Sequence, residues 1–407
     1  HERPNGEQIS VFAREVAPAG GPQLDKPWLV FFQGGPGGKS PRPDGRSGWI
    51  KRALADYRVL LLDQRGTGRS TPVTHRTLLR RGSAQAQADY LTFFRADAIV
   101  QDAELIRREL AGDGTTWSAL GQSYGGFCIT TYLSFAPHGL REAFITGGLP
   151  PIHQTADEVY RATYQRVLGK NARYFERYPG DQARAQEIVA YLSSHDVRLP
   201  DGSRLTPVRF QALGHGFGTS TGFEHIHYLL DEAFVEGPDG RELSDTFLAT
   251  ALSSLSFAGG PIYAILHESI YCQQGGSHWS AERVRGEYPQ FAARPNQPVL
   301  FIGEMVYPWM FDEDRALRPL REAATLLADY ADWPPLYDIE RLRRNSVPVA
   351  AAVYYDDMYV ERAFSEQAAE TIAGCRMWVT NEYEHNGLRA DGERVLGRLI
   401  DMLHGEI

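Results

Sequence analysis

The apolar positions of the first third of the chain fall into short runs. "ISVFAREV", "WLVFFQG", "YRVLLLDQRG", "WSALG" and "EAFITGG" read as strands. Between the third and fourth, Ile99, Ala103, Ile106 and Leu110 recur at spacings of 4, 3 and 4, which predicts an amphipathic helix. Strands alternating with such helices predict a mostly parallel sheet flanked by helices. After "ITGGLPP" the pattern changes to aromatic-rich helical periodicity, as in "RVLGKNARYFERYPG" and "LREAATLLADYADWPPLYD". "VPVAAAVYYDD" and "RMWVTNEYEH" then return as two further strands, followed by a terminal helix at "ERVLGRLIDML". The expected organisation is an α/β catalytic domain of residues 1–150 and 345–407, interrupted by a mainly helical cap domain of residues 151–344. "QPVLFIGE" is strand-like but lies inside the insertion. "VPVAAAVYYDD" is the better core strand, because acids follow it directly and a His-bearing strand comes next.

"PIYAILHESIYC" breaks its own pattern. Ile262, Ile265, Leu266 and Ile270 are apolar at helical spacing, yet His267 and Glu268 sit among them. A carboxylate in such a setting needs a partner, and the local sequence supplies none.

At 407 residues, 43% of them hydrophobic and 11% aromatic, the chain has ample material for a large core. A formal charge of −9, with no Lys/Arg run, argues against nucleic acid or an anionic membrane as a partner. No stretch reaches the length of a membrane span, and "HERPNGEQ" has no signal-peptide core. Cys128, Cys272 and Cys375 are far apart and odd in number, which fits a reducing compartment, and a cytoplasmic location is expected. The oligomeric state is left open.

"GQSYG", Gly121 to Gly125, matches the G-x-S-x-G turn that presents a serine Oγ at the end of a strand. "GTSTG", Gly218 to Gly222, matches too, but Ser220 follows the glycine-rich "LGHGFG" rather than a strand. Ser123 stands between strand-like "WSALG" and helical "YGGFCITTYLSF" and is the candidate nucleophile. Such a serine needs preset amide donors for the oxyanion. "FFQGGPGG" supplies Gly35 N–H, and Tyr124 N–H follows the serine. Losing one such donor costs roughly 3 kcal/mol of transition-state stabilisation. The order Ser…Asp/Glu…His then points to Asp356 or Asp357 in "AVYYDDMY" as the acid and to His385 in "NEYEHNG" as the general base. His404, in the terminal helix, reads as a surface residue.

Two other motifs are discounted. "DQRGTGRS", Asp63 to Ser70, lacks the third glycine of a dinucleotide loop and the Gly-Lys of a P-loop. "EHIHY", Glu224 to Tyr228, spaces its histidines for a strand and offers no third ligand. The mechanism calls for no metal and no other cofactor.

Together, "GGPGG" after a strand, "DQRGTGRS", "GQSYGGF" and the late Asp and His resemble the proline iminopeptidases (prolyl aminopeptidases), serine peptidases of the α/β-hydrolase fold. The likeness runs over nearly the whole chain. "LHESIY", "GEMVYPWMF" and "YYDDMYV" look like the branch with the larger cap. The resemblance implies a large helical cap inserted after the sixth strand of the sheet. It also implies release of an N-terminal residue, preferably proline, from short peptides with a free N-terminus. Glutamates of the cap hold the substrate amine in that family, which points to Glu268 and Glu304. Aligning "DM" with "DM" favours Asp357 over Asp356. Gln33 stands where many relatives have histidine, a departure that touches the loop's support and not its amides.

A charged amine is the one feature every peptide N-terminus offers, and charge-assisted hydrogen bonds to carboxylates suit its recognition. A purely structural role for Glu268, in a salt bridge with Arg283 or Arg285, is the competing reading. So is an esterase or amidase acting on small acyl substrates with the same triad, since fold alone does not fix substrate. A catalytically silent binding module is disfavoured by the complete set of catalytic residue types. An epoxide hydrolase or dehalogenase is disfavoured by serine at the elbow, where those members of the fold carry aspartate.

Overall fold

The computed structural model describes all residues except 2–4, 19, 23, 24, 44, 46, 47, 239, 296 and 406. Residues 2–4, part of the stretch read for a signal peptide, therefore lie outside the described residues.

Seven strands form the central sheet: β1 (Phe12–Val16), β2 (Trp28–Phe32), β3 (Arg58–Asp63), β4 (Trp117–Gln122), β5 (Leu140–Thr146), β8 (Val349–Tyr354) and β9 (Cys375–Thr380). The remaining two, β6 (Phe234–Gly237) and β7 (Gly240–Leu243), make a separate antiparallel hairpin. Sheet order is β1-β3-β2-β4-β5-β8-β9, parallel throughout except for the β1–β3 pair.

The central strands are apolar at successive positions because both faces are covered. In β2, Val30 and Phe32 join one core with Leu60, Ile99 and Phe127, while Leu29 and Phe31 join the other with Trp49, Val395 and Leu399. The second core is closed by the helices Gly48–Asp56 and Gly392–His404. The first continues into the segment between β5 and β8, where Tyr164, Tyr174, Phe217 and Phe301 belong to the same cluster.

That segment follows the fifth strand in chain order, one earlier than the family resemblance implied, because among the described residues only β1 to β5 precede it. It is mostly helical, as the periodicity predicts, but it also holds the β6–β7 hairpin, which the sequence reading did not anticipate. "QPVLFIGE" is extended without joining any sheet. Side chains take its backbone groups instead: Asn171 accepts from Phe301 N–H at 2.8 Å and donates to Phe301 O at 2.8 Å, and Gln211 donates to Leu300 O at 2.8 Å. With a ladder replaced by amide side chains, strand-like composition yields a pinned loop.

One buried side chain ties the insertion to the sheet layer. Arg95, fully buried at the head of the helix Ala96–Ala111, donates to Ser269 O at 2.9 Å, Cys272 O at 2.6 Å and Pro334 O at 2.8 Å. Its guanidinium also lies 4.2 Å from the ring centroid of Trp333. Among the described residues no helix is long and apolar enough to cross a membrane.

Candidate active site

Ser123 closes the turn between β4 and the helix Tyr124–Phe135 with φ 56° and ψ −127°. A non-glycine residue held there stores roughly 1–3 kcal/mol of strain and persists only when its surroundings fix it. They do so through Ser123 N–H, which donates to Thr146 O at 2.9 Å. The neighbouring glycine is required by proximity: a Cβ on Gly125 would fall 2.0 Å from Phe32 O. Ser123 remains partly exposed, so its hydroxyl is reachable.

β8 carries the two aspartates at its end, and they part company. Asp357, 1% exposed, accepts Tyr359 N–H at 2.8 Å and Val360 N–H at 3.1 Å on Oδ1, and His385 Nδ1–H at 2.7 Å on Oδ2. Asp356 instead pairs with Arg173 at 2.8 Å and Arg166 at 3.5 Å, away from the histidine. With Nδ1 committed to Asp357, Nε2 of His385 is the free acceptor. Burial alone pulls the His385 imidazolium down, but the charge and hydrogen bond of Asp357 outweigh it, and the group ends above its ordinary value. The end of β5 brings serine and histidine to successive residues: Ser123 N–H donates to Thr146 O, and a Cβ on Gly147 would fall 3.2 Å from His385 Nδ1.

The glycine loop after β2 lies against the serine, with a Cβ on Gly34 only 2.9 Å from Ser123 Cβ. Neither Gly35 N–H nor Tyr124 N–H donates to any group among the described residues, which leaves both amides unused. The following "DQRGTGRS" loop is organised by its own carboxylate: Asp63 accepts from Ser40 N–H, Arg69 N–H and the Arg42 guanidinium. An anion at its core leaves no cradle for phosphate.

Glu268 has found its partners. "PIYAILHESIYC" is helical only over Pro261–Leu266 and then tightens into a 3₁₀ turn over Glu268–Tyr271. That turn aims the Glu268 carboxylate at the start of the helix Ser280–Arg285, where Ser280 N–H donates to Oε2 at 3.0 Å and Ala281 N–H to Oε1 at 2.9 Å. The expected arginine partners are engaged elsewhere, Arg283 with Asp157 and Arg285 with Phe291 O. Burial still raises the Glu268 carboxyl above its ordinary value, against those amide bonds.

Glu304, on the pinned loop, faces the dyad. Burial pushes its carboxyl up to about 7, held back by the Tyr263 hydroxyl, which donates to Oε1 at 2.5 Å, and by the nearby His385. Tyr160 and Tyr271 lie within reach of both glutamate charges, and the buried Tyr160 hydroxyl has no partner among the described residues. Burial also lowers His215 to about 4 and His267 to about 3, so both are neutral. The electrostatic character is therefore carboxylate-rich, with His385 the one imidazole favouring its cation.

Sequence reasoning missed Tyr160, Tyr263, Tyr271 and His215, because single aromatics in a helical insertion read as core. The discounted motifs also have places. Ser220 N–H donates to Asn386 Oδ1 at 3.0 Å in a turn, and "EHIHY" lies on the helix Gly222–Asp231, with His227 bonded to Asp181 at 2.9 Å.

Residues 27–305 match the alpha/beta hydrolase fold family, and the chain belongs to that class. The proline iminopeptidase of Aeromonas sobria is 52% identical over 401 residues, covering 98% of this chain and 93% of that protein. The proline iminopeptidase aneH of Aspergillus aculeatus is 33% identical over 417 residues, covering 100% and 92%. Within the α/β hydrolases, this chain belongs to the proline iminopeptidase family. A crystal structure of the Mycobacterium smegmatis proline iminopeptidase aligns with TM-score 0.47 at 14% identity over 98% of this chain and 96% of that one, too distant to add to the assignment.

Proposed function

We propose that this chain is a cytoplasmic serine aminopeptidase that removes an N-terminal residue, preferably proline, from short peptides. The observation that carries the reading is the pairing of the Ser123 turn and the His385–Asp357 hydrogen bond with Glu304, a carboxylate whose charge acts on the same histidine. An esterase has no use for that charge, whereas a peptide N-terminus supplies its counter-ion.

In the mechanism, Ser123 Oγ gives its proton to His385 Nε2 and attacks the first peptide carbonyl. Asp357 holds the imidazole in the Nδ1–H tautomer and stabilises the imidazolium. Gly35 and Tyr124 amides receive the oxyanion. His385 then protonates the leaving amine, and water, activated by the same histidine, hydrolyses the acyl-enzyme. Glu304 binds the substrate's ammonium directly. Glu268, fixed by two amides, is the second carboxylate, and the charges of both glutamates act on Tyr160 and Tyr271. Residues 151–344 act as the cap that carries both glutamates, over a catalytic domain of residues 1–150 and 345–407. No metal or other cofactor takes part, and neither nucleic acid nor a membrane is a partner.

The test compares kcat/KM for prolyl-β-naphthylamide, its N-acetylated form and a short acyl ester in wild type and Glu304→Gln. The free amine is expected to be preferred, and the substitution to erase roughly 10–100-fold of that preference, the worth of a hydrogen bond to a charged group. Equal turnover of the acetylated amide or the ester would establish the esterase or amidase reading instead.

A further inference from the structure

A cavity of about 370 Å³ lies on the Glu304 side of the site, sharing Tyr263 with that carboxylate. Its inner wall belongs to the site: His215 senses the His385 charge, Tyr263 bonds Glu304, and Gly303 and Met305 flank Glu304 in the chain. Arg209 and Asp314 also line it. Such a volume is in the range of about 300–1,000 Å³ typical of small-ligand sites.

Arg209, 3% exposed, is an unusual wall residue. Its Nη1 donates to Ser203 Oγ at 3.0 Å and Arg204 O at 2.6 Å, while Nε and Nη2 donate to no group among the described residues. The nearby carboxylates are committed elsewhere. Asp314 accepts Ala316 N–H at 2.8 Å, Leu317 N–H at 3.0 Å and Phe257 N–H at 3.3 Å. Glu313 accepts the Thr206 hydroxyl at 2.8 Å, and Asp201 accepts Ser203 N–H at 2.9 Å. None forms a salt bridge with Arg209. The cavity thus has a guanidinium with one anchored nitrogen and an unused edge, a geometry that matches a carboxylate. A second unused donor adjoins it: the buried indole N–H of Trp309, also in the lining, has no partner among the described residues.

We propose that this cavity receives the departing part of a short peptide and that Arg209 binds its C-terminal carboxylate. The proposal rests on the aminopeptidase reading. With the ammonium at Glu304 and the scissile carbonyl at Ser123, a short peptide that folds back past Tyr263 ends in this cavity, within reach of the unused Arg209 edge. Trp309 then offers its N–H to a peptide carbonyl along the way. Arg209 is a specificity-determining residue that acts on binding, remote from the reacting atoms.

The test is a series of prolyl di-, tri-, tetra- and hexapeptides, each as the free acid and the C-terminal amide, with prolyl-β-naphthylamide alongside. The quantity read is the acid-to-amide ratio of kcat/KM within each enzyme form, so the amount of active protein cancels. In wild type the ratio is expected to reach about ten at one short length and to return to one in the hexapeptide, the scale of one charge-assisted contact. Arg209→Gln brings it to one at every length, and Arg209→Lys keeps part of it. A wild-type ratio of one throughout, with the naphthylamide turned over, overturns this proposal alone and needs no variant to fold. A ratio that survives Arg209→Gln overturns it as well. Failure of every free-amine prolyl substrate would instead remove the aminopeptidase reading beneath it.

Discussion

Tyr263 donates its hydroxyl to Glu304 at 2.5 Å, and this is the contact that keeps a crowded carboxylate from rising further above about 7. On the proposed mechanism Glu304 must be ionised to hold an ammonium and His385 neutral to take the serine proton, so the acidic limb of kcat/KM carries both titrations. Removing the hydroxyl in Tyr263→Phe withdraws a bond that favours the charged form. The acidic limb is expected to move to higher pH, measured on prolyl-β-naphthylamide from pH 5 to 9. An unmoved limb would assign it to His385 alone, and the Glu304→Gln substrate comparison then decides whether Glu304 binds the amine.

The same shift has a cost in stability. Below the ordinary value of 4.5 the carboxyl is protonated in both states; between 4.5 and about 7 only the unfolded chain has released the proton, so stability falls as pH rises through that window. Glu304→Gln, which cannot ionise, is expected to be more stable than wild type at pH 8 by roughly 3 kcal/mol and to converge with it below pH 4.5. Urea unfolding at pH 4 and pH 8 checks both ends.

Glu268 shares the direction of that shift, but its two amide hydrogen bonds make its substitution a different case. Glu268→Gln keeps the shape but turns an amide NH₂ toward a backbone N–H that now needs an acceptor, Ser280 or Ala281. A loss of about 1–3 kcal/mol is expected at pH 7, read from the urea midpoint. Unchanged stability would mean that the helix start at Ser280 does not depend on this carboxylate.

The two aspartates give the sharpest contrast. Asp357→Asn is expected to lower kcat by about 10⁴ with the fold intact, because the imidazole loses its tautomer. Asp356→Asn, which disturbs only ion pairs with Arg173 and Arg166, is expected to change kcat by less than about twofold. The reverse pattern would transfer the catalytic role to Asp356.

What the sequence made legible follows from what it must encode locally. β2, β3 and β8 announce themselves because a strand covered on both faces is apolar at nearly every position. Ser123 is legible because its strained turn demands small neighbours at fixed offsets. "QPVLFIGE" misleads for a complementary reason: its backbone partners are the side chains of Asn171 and Gln211, more than 80 residues away, which no local pattern displays. Glu268 is legible as an anomaly and not as a solution, since its partners are backbone amides that exist only once Ser280–Arg285 has formed. The adjoining aromatics of the site are invisible for want of any spacing that separates them from core.

Arg95 carries a consequence for how molecules reach the serine. Its guanidinium, with no exposure to solvent, fastens the turn after Glu268 and the Pro334 carbonyl to the sheet layer from within. Swinging that part of the insertion aside would strand a cation and three carbonyls in an apolar interior, so it does not act as a hinged door. The energy that would be needed to move it is stored as desolvation, so this part of the insertion keeps one position relative to the sheet whether or not a ligand is present.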